Sequence, residues 1–425
     1  MAKLKPFYPK NIQYWKFSSY GFLKNLRFFD AFIILFLNQI GVSYTQIGFL
    51  YAIREIISFI MEVPSGMIAD QFGRKESLLS SFILYIISFI ILYLTSNFYL
   101  LILAFLLYGI ADAFRSGTHK AMIMEYLTLH GWYEHKIDYY GHTRAWSQRG
   151  SAISALVAGF LVFLEGSYQN IFLYSVIPYL MNFFLVLSYP KELNRLGPTK
   201  KPAKRETISQ FVQKLWTVTR DIKVASIIST SALHSAYLKG IKDFIQPMMA
   251  TLAITLPFLA FIQNPDKKIG LVVGVLYFFI YMLTAFASSQ AGKLTRRLKH
   301  KAIIASATLF LGLIFGALSG LFYYSLHLAV AIGTFLLVFI LENLRKPILT
   351  GYVVDEVPDE ILTSVLSVQN FLKTIFAAII AFSLGWFADL FGIGLGLVII
   401  SAGLLLIVLL LEGFARFKAT RLKSD

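Results

Sequence analysis

The chain has no cysteine among its 425 residues. Disulfides, thiolate chemistry and cysteine metal ligands are excluded, and the redox character of its compartment leaves no mark. It also lacks a nucleophile elbow, a phosphate-binding loop, a zinc motif and a Rossmann glycine pattern, so an enzyme reading has no residues to stand on. His119 and His234 are far apart in sequence and show no metal-ligand spacing; no metal and no cofactor are expected. Charge is scarce: Asp, Glu, Lys and Arg make up 15% of the residues against 57% hydrophobic. A soluble domain is nearer about 45–50% apolar. Residues 1–16 are basic and aromatic without a small-residue cleavage site, which predicts a mature cytoplasmic tail rather than a signal peptide.

What the chain has instead is apolar runs of about 20 residues, repeated along its length, the pattern of transmembrane helices. Twelve can be placed, near 18–41, 46–67, 76–96, 98–127, 143–165, 169–188, 223–254, 268–290, 302–323, 328–352, 362–388 and 393–412. The net charge of +16 sits in short loops on one side of these spans. That is the positive-inside pattern, and it argues against nucleic acid as the partner. With an even span count both termini are expected in the cytoplasm, in a cell (inner or plasma) membrane. The basic, proline-containing segment 189–222 divides the spans six and six. The expectation is an all-α integral membrane protein: an N-terminal bundle 1–188, a linker 189–222 and a C-terminal bundle 223–425.

Charge inside the spans follows a period of three. Spans three, six, nine and twelve are nearly free of it, and so is span eight. The other seven spans carry embedded charges, which are costly in hydrocarbon and must face protein or water. A three-span period in each half predicts inverted three-helix repeats around a polar midplane cavity. The embedded groups recur at helical spacing. Arg27 pairs with Asp30. Arg54 precedes Glu55. Asp112, Arg115 and His119 share one face, as do Lys239, Lys242 and Asp243, and Glu342 shares one with Arg345. In one reading these charges neutralise one another. In the other, some bind solute or carry protons. Asp30, Glu55, Asp112 and Glu342 are the candidate proton or gate carboxylates, since partial burial moves a carboxylate pKa towards neutral. Arg27, Arg54, Arg115, His119, Lys239, Lys242, Asp243 and Arg345 are the candidate solute-facing groups. Bases outnumber acids, which favours an anionic solute. Pro247 is expected to bend span seven just beyond Asp243.

Between spans two and three, residues 66–75 read Gly-Met-Ile-Ala-Asp-Gln-Phe-Gly-Arg-Lys. This resembles the signature loop of the major facilitator superfamily at every defining position: Gly66, Asp70, Gly73, Arg74 and Lys75. With twelve spans and a central basic loop, the resemblance covers essentially the whole chain. It implies a conformational latch that holds the cytoplasmic side when the cavity opens outward. Gly66 would allow close contact with span eleven, Asp70 would face that span's N-terminus, and Arg74 would pair with Glu125. Span five departs from the family's drug–proton antiporters: 150–159 has no Gly-Pro pair.

The expected function is secondary transport of a small polar, anionic organic solute by alternating access, coupled to protons, by a monomer in the lipid bilayer. Two alternatives stand beside it. A multidrug–proton antiporter would use the aromatic-rich walls as an adaptable site. A non-transporting membrane sensor would keep the same fold.

Overall fold

The structure, a computed structural model, describes residues 8–194, 216, 222–297, 301–357 and 359–421. Most of the linker 189–222 therefore lies outside the described residues. Helices account for nearly all of what is described, with no strand among the described residues.

Eight helical runs among these residues are long and apolar enough to cross a membrane. One of them, Val365–Leu410, has 46 residues and breaks at Gly392 (φ 82°, ψ 162°). At about 20 residues per crossing it crosses twice. Spans one, two and seven are not among the eight, and each is interrupted. Span one is α1 (Ile12–Leu23) and α2 (Ile33–Gln39), joined by an unwound stretch and a 3₁₀ turn, Phe28–Ala31. Span two is α3 (Tyr44–Ile60) and α4 (Glu62–Phe72). The next four spans are α5 (Arg74–Leu94), α6 (Phe98–Arg115) continued by α7 (Thr118–Leu129), α8 (Lys136–Glu165) and α9 (Asn170–Leu187). Span seven is α10 (Ile222–Ile241) and α11 (Ile245–Thr255), and the rest are α12 (Pro265–Arg297), α13 (Lys301–Tyr324), α14 (Leu328–Glu356) and α15 (Asp359–Arg421). This is the twelve-span, all-helical architecture expected.

Contacts divide the chain into two compact units. One gathers 1–42, 50–211 and 253–282; the other gathers 43–49, 212–252 and 283–425. In the first, α5 lies along α6 and α9, and α1 along α8. A Cβ added to Gly159 would meet Gly274 Cα at 2.7 Å, so these two glycines set how closely α8 and α12 approach. Between spans five and six, the Tyr168 hydroxyl donates to Asp266 Oδ1 (2.8 Å). Burial, then the neighbouring carboxylate, raise the pKa of this phenol well above its usual value. In the second unit, α13 packs on α14 and α15, and α10 on α15.

The helix breaks matter most, because backbone freed inside a membrane must find new partners. At the break in span one, Tyr179 donates to the Lys24 carbonyl (3.0 Å), Ser175 Oγ accepts from Phe28 N–H (3.0 Å), and Asn182 Nδ2 reaches Tyr20 O at 3.5 Å. Ser175, Tyr179 and Asn182 recur at helical spacing on α9, and all three are buried. At the break in span four, Gly117 (φ 72°) interrupts the helical ladder, and the Ala113 carbonyl accepts instead from Ser116 N–H (3.1 Å) and the Phe114 carbonyl from Thr118 Oγ1 (2.9 Å). Ser65 Oγ donates to the first (3.0 Å) and Ser77 Oγ to the second (3.0 Å).

Span seven breaks earlier than expected, at a 3₁₀ turn, Lys242–Phe244. Pro247 has no N–H for the Asp243 carbonyl and its ring crowds that carbonyl. The helix therefore yields before the proline, and Lys242 and Asp243 stand in the 3₁₀ turn while Lys239 stays on α10. Replacing Gly159 by Val should overpack the α8–α12 crossing and destabilise the protein by about 1–3 kcal/mol. A lower midpoint in a thermal-unfolding scan of detergent-purified protein checks this, and an unchanged midpoint would contradict the crossing.

Candidate functional site

The signature stretch is not a loop. α4 continues through Phe72 and α5 starts at Arg74, so the turn is Gly73 alone, at φ 117° and ψ 150°. Only glycine takes that conformation readily. The Arg74 N–H donates to the Asn194 carbonyl (3.1 Å), the Lys75 N–H to Asn194 Oδ1 (2.9 Å), and Asn194 Nδ2 to Glu76 Oε1 (2.9 Å). Asn194, 119 positions away from Lys75, thus caps α5. A Cβ at Gly73 would also strike Asn194 Oδ1 at 2.5 Å. Lys75 Nζ donates to the Leu187 carbonyl (2.5 Å), and Arg74 Nη1 lies 4.0 Å from Glu125 Oε2. Gly66 sits within α4, and a Cβ there would meet no described atom within 4 Å; Asp70 is exposed. Close packing therefore does not account for Gly66 in this structure. Sequence reasoning missed Asn194, since nothing local marks it.

The embedded charges of the first unit pair off. Arg27 Nη2 meets Asp30 Oδ2 at 2.8 Å and Arg27 Nη1 donates to the Tyr108 hydroxyl (2.5 Å). Arg115 Nη2 meets Asp112 Oδ1 at 2.8 Å; the Tyr85 hydroxyl donates to the same oxygen (2.5 Å) and accepts from Arg115 Nε (2.9 Å). Two arginine–carboxylate–tyrosine triads thus adjoin, with the Tyr85 and Tyr108 rings edge to face at 5.0 Å. Arg54 meets Glu55 Oε1 at 3.2 Å and lies over the Tyr51 ring at 4.7 Å. In this arrangement each of these arginines has a carboxylate partner.

His119 does not join it. The break at Gly117 puts His119 on α7, off the Asp112–Arg115 face. Its ring stacks on Tyr20 (centroids 3.6 Å apart, planes within 7°), and its Nε2 is 3.2 Å from the Tyr189 hydroxyl.

The second unit is different. Arg345 is fully buried, and none of its three guanidinium nitrogens has a hydrogen-bond partner among the described residues. Glu342, one turn earlier on α14 and also buried, contacts His234 Nδ1 and accepts from Ser235 Oγ (2.8 Å). The His234 Nε2 lies 3.3 Å from the Thr308 carbonyl. A carbonyl only accepts, so that nitrogen carries a hydrogen. The contact between Nδ1 and the carboxylate then needs one further proton, held by either partner. The pair is a one-proton site one turn from a guanidinium with no hydrogen-bond partner among the described residues. Elsewhere in this unit, Lys242 Nζ lies 3.6 Å from Asp243, and Lys239 is half-buried.

These helices and embedded ion pairs, with a buried guanidinium that has no hydrogen-bond partner among the described residues, define a multi-pass helical membrane protein. The sequence profile described as Major Facilitator Superfamily matches residues 22–381, and the chain belongs to that family. Two curated relatives match in part. The uncharacterized MFS-type transporter YxaM of Bacillus subtilis (strain 168) is 33% identical over 106 residues, 24% of this chain and 27% of that protein. The sucrose permease of Escherichia coli is 30% identical over 170 residues, 37% and 39% of the two chains. The chain thus spans roughly a quarter and two fifths of the lengths of these relatives. The nucleoside transporter NupG superposes with a TM-score of 0.76 over 95% of this chain and 99% of its own, at 12% identity, a likeness of fold. The protein is accordingly a multi-pass membrane transporter of the family and not an enzyme.

The unpaired charge has a cost that a neutral side chain would remove. Arg345→Met should raise the unfolding midpoint of the solute-free protein while abolishing any stabilisation by added solute. A midpoint that falls, or solute stabilisation that survives, would show that Arg345 has a structural partner.

Proposed function

We propose that the protein carries a small polar, anionic organic solute across the membrane by alternating access, coupled to protons. The observation that carries this reading is Arg345. A buried guanidinium with no described partner is explained by an anion that arrives with the solute, gripped in the planar geometry a carboxylate or phosphate oxygen pair offers. Next to it, the His234–Glu342 pair supplies a place for the co-transported proton. Solute anion and proton would then enter one region of α14 together. The compensated triads around Arg27, Asp30, Asp112 and Arg115, with Arg54 and Glu55, are assigned to shaping the first unit rather than to carrying protons.

The signature turn is assigned the latch role, with Gly66, Asp70, Gly73, Arg74, Lys75 and Glu125 as its parts. The asymmetry of Lys and Arg between the loops supports termini on the cytoplasmic side of a plasma membrane. A multidrug antiporter fits less well: a buried unpaired cation would repel lipophilic cations.

Two measurements test the proposal. A thermal-shift screen of purified protein against carboxylates, phosphates and neutral metabolites should find stabilisation among the anions. Hits confined to neutral hydrophobic compounds would sink the anionic reading. In proteoliposomes, Glu342→Gln should abolish accumulation driven by a pH gradient while leaving solute exchange at equal pH. Accumulation at the parent rate would remove Glu342 from the proton path.

A further inference from the structure

Span two begins at Tyr44 and ends at the Gly73 turn, so these lie at opposite faces of the membrane. The beginning of α3 has its own cap. Ser43 and Gln46 form a reciprocal capping box: the Ser43 N–H donates to Gln46 Oε1 (3.0 Å) and the Gln46 N–H to Ser43 Oγ (3.3 Å). The two remaining N–H groups of the first turn are taken by another helix. Asp389, on α15, accepts from Tyr44 N–H at Oδ1 (2.9 Å) and from Thr45 N–H at Oδ2 (2.7 Å). The carboxylate sits at the positive end of the α3 dipole. Two glycines let the backbones meet there. A Cβ at Gly385 would collide with the Tyr44 carbonyl, and a Cβ at Gly48 with that of Ala381.

We infer that Asp389 is a gate residue of the transport cycle, holding the start of α3 against α15 and releasing it when that face of the membrane opens. The inference rests on the alternating-access reading above. Three features carry it. α3 is capped without Asp389, so the extra carboxylate is not needed to form the helix. Both of its oxygens are committed to a helix end that water could otherwise satisfy. The nearest approaches at the two glycines are backbone against backbone, so parting them withdraws no side chain from either of those points. The same chemistry was expected of Asp70 at the other end of span two, where the structure leaves Asp70 exposed. Span two thus has an anion at one end and an anion-accepting helix start at the other.

The test uses the absence of native cysteine. Ala381→Cys, at a site 3% exposed beside Gly48, reports on the contact in proteoliposomes through its labelling rate with a water-soluble maleimide. Asp389→Asn, which loses one of the two acceptors and the charge on the other, should raise that rate by about tenfold or more. Asp389→Glu should stay near the parent rate. An unchanged rate in Asp389→Asn overturns the inference. So does a rise that Asp389→Glu shares and that only tracks a lower unfolding midpoint, because that is the signature of a static cap. A second reporter, Gly66→Cys, tests alternation separately. It should become protected in Asp389→Asn. If it stays reactive while Ala381→Cys is exposed, alternating access fails and the hold of Asp389 on α3 stands.

Discussion

Backbone polar groups have no water to turn to inside a bilayer, and the arrangement of this protein depends on that constraint. Spans one, two, four and seven are broken, and a break creates carbonyls and amides that need partners. At spans one and four, side chains from other helices provide them. The buried polar row on α9 serves span one, and Ser65 and Ser77 serve span four. These hydrogen bonds fix where Arg27, Asp112 and Arg115 point, because each of those residues lies within a few positions of a break.

The same bonds tie the signature turn to the interior. Ser65 stands on α4 and Ser77 on α5, one on each side of Gly73. Displacing either helix would strain the broken end of α6, where Asp112 and Arg115 are paired. Asn194 adds a tie from the start of the linker to the first turn of α5. The turn is thus connected to both the charged interior and the connector between the two halves of the sequence.

Much of the fold was legible in the sequence, because span count depends on hydropathy alone. So were pairs whose partners are close in sequence: Arg27 and Asp30 are three apart, and a helix or a helical turn brings them together. The single-residue turn was not legible. A stretch with two glycines and three charges reads as a loop, and only the backbone shows that α4 runs on to Phe72. Contacts made by uncharged side chains over long sequence distances were hidden as well, as with Asn194, Ser65 and Ser77. Arg345 was legible as an embedded base. That it lacks a described partner is a property of its surroundings, and no spacing rule reports it. The shared face drawn through Asp112, Arg115 and His119 failed because Gly117 breaks the helix between them.

The interrupted spans bear on how the chain enters the membrane at all. Spans one, two and seven are too short or too charged, taken singly, to partition readily from the translocation machinery into lipid, where an arginine or aspartate at mid-helix costs about 2.5–3.5 kcal/mol. Their neighbours do not share that burden: α5, α8 and α9 qualify as crossings on their own. Span one would then wait at the insertion site for α9, whose Ser175, Tyr179 and Asn182 satisfy its opened backbone. Biogenesis of the N-terminal half becomes a cooperative event completed by its sixth helix, and polar substitutions on α9 would surface first as failed membrane assembly.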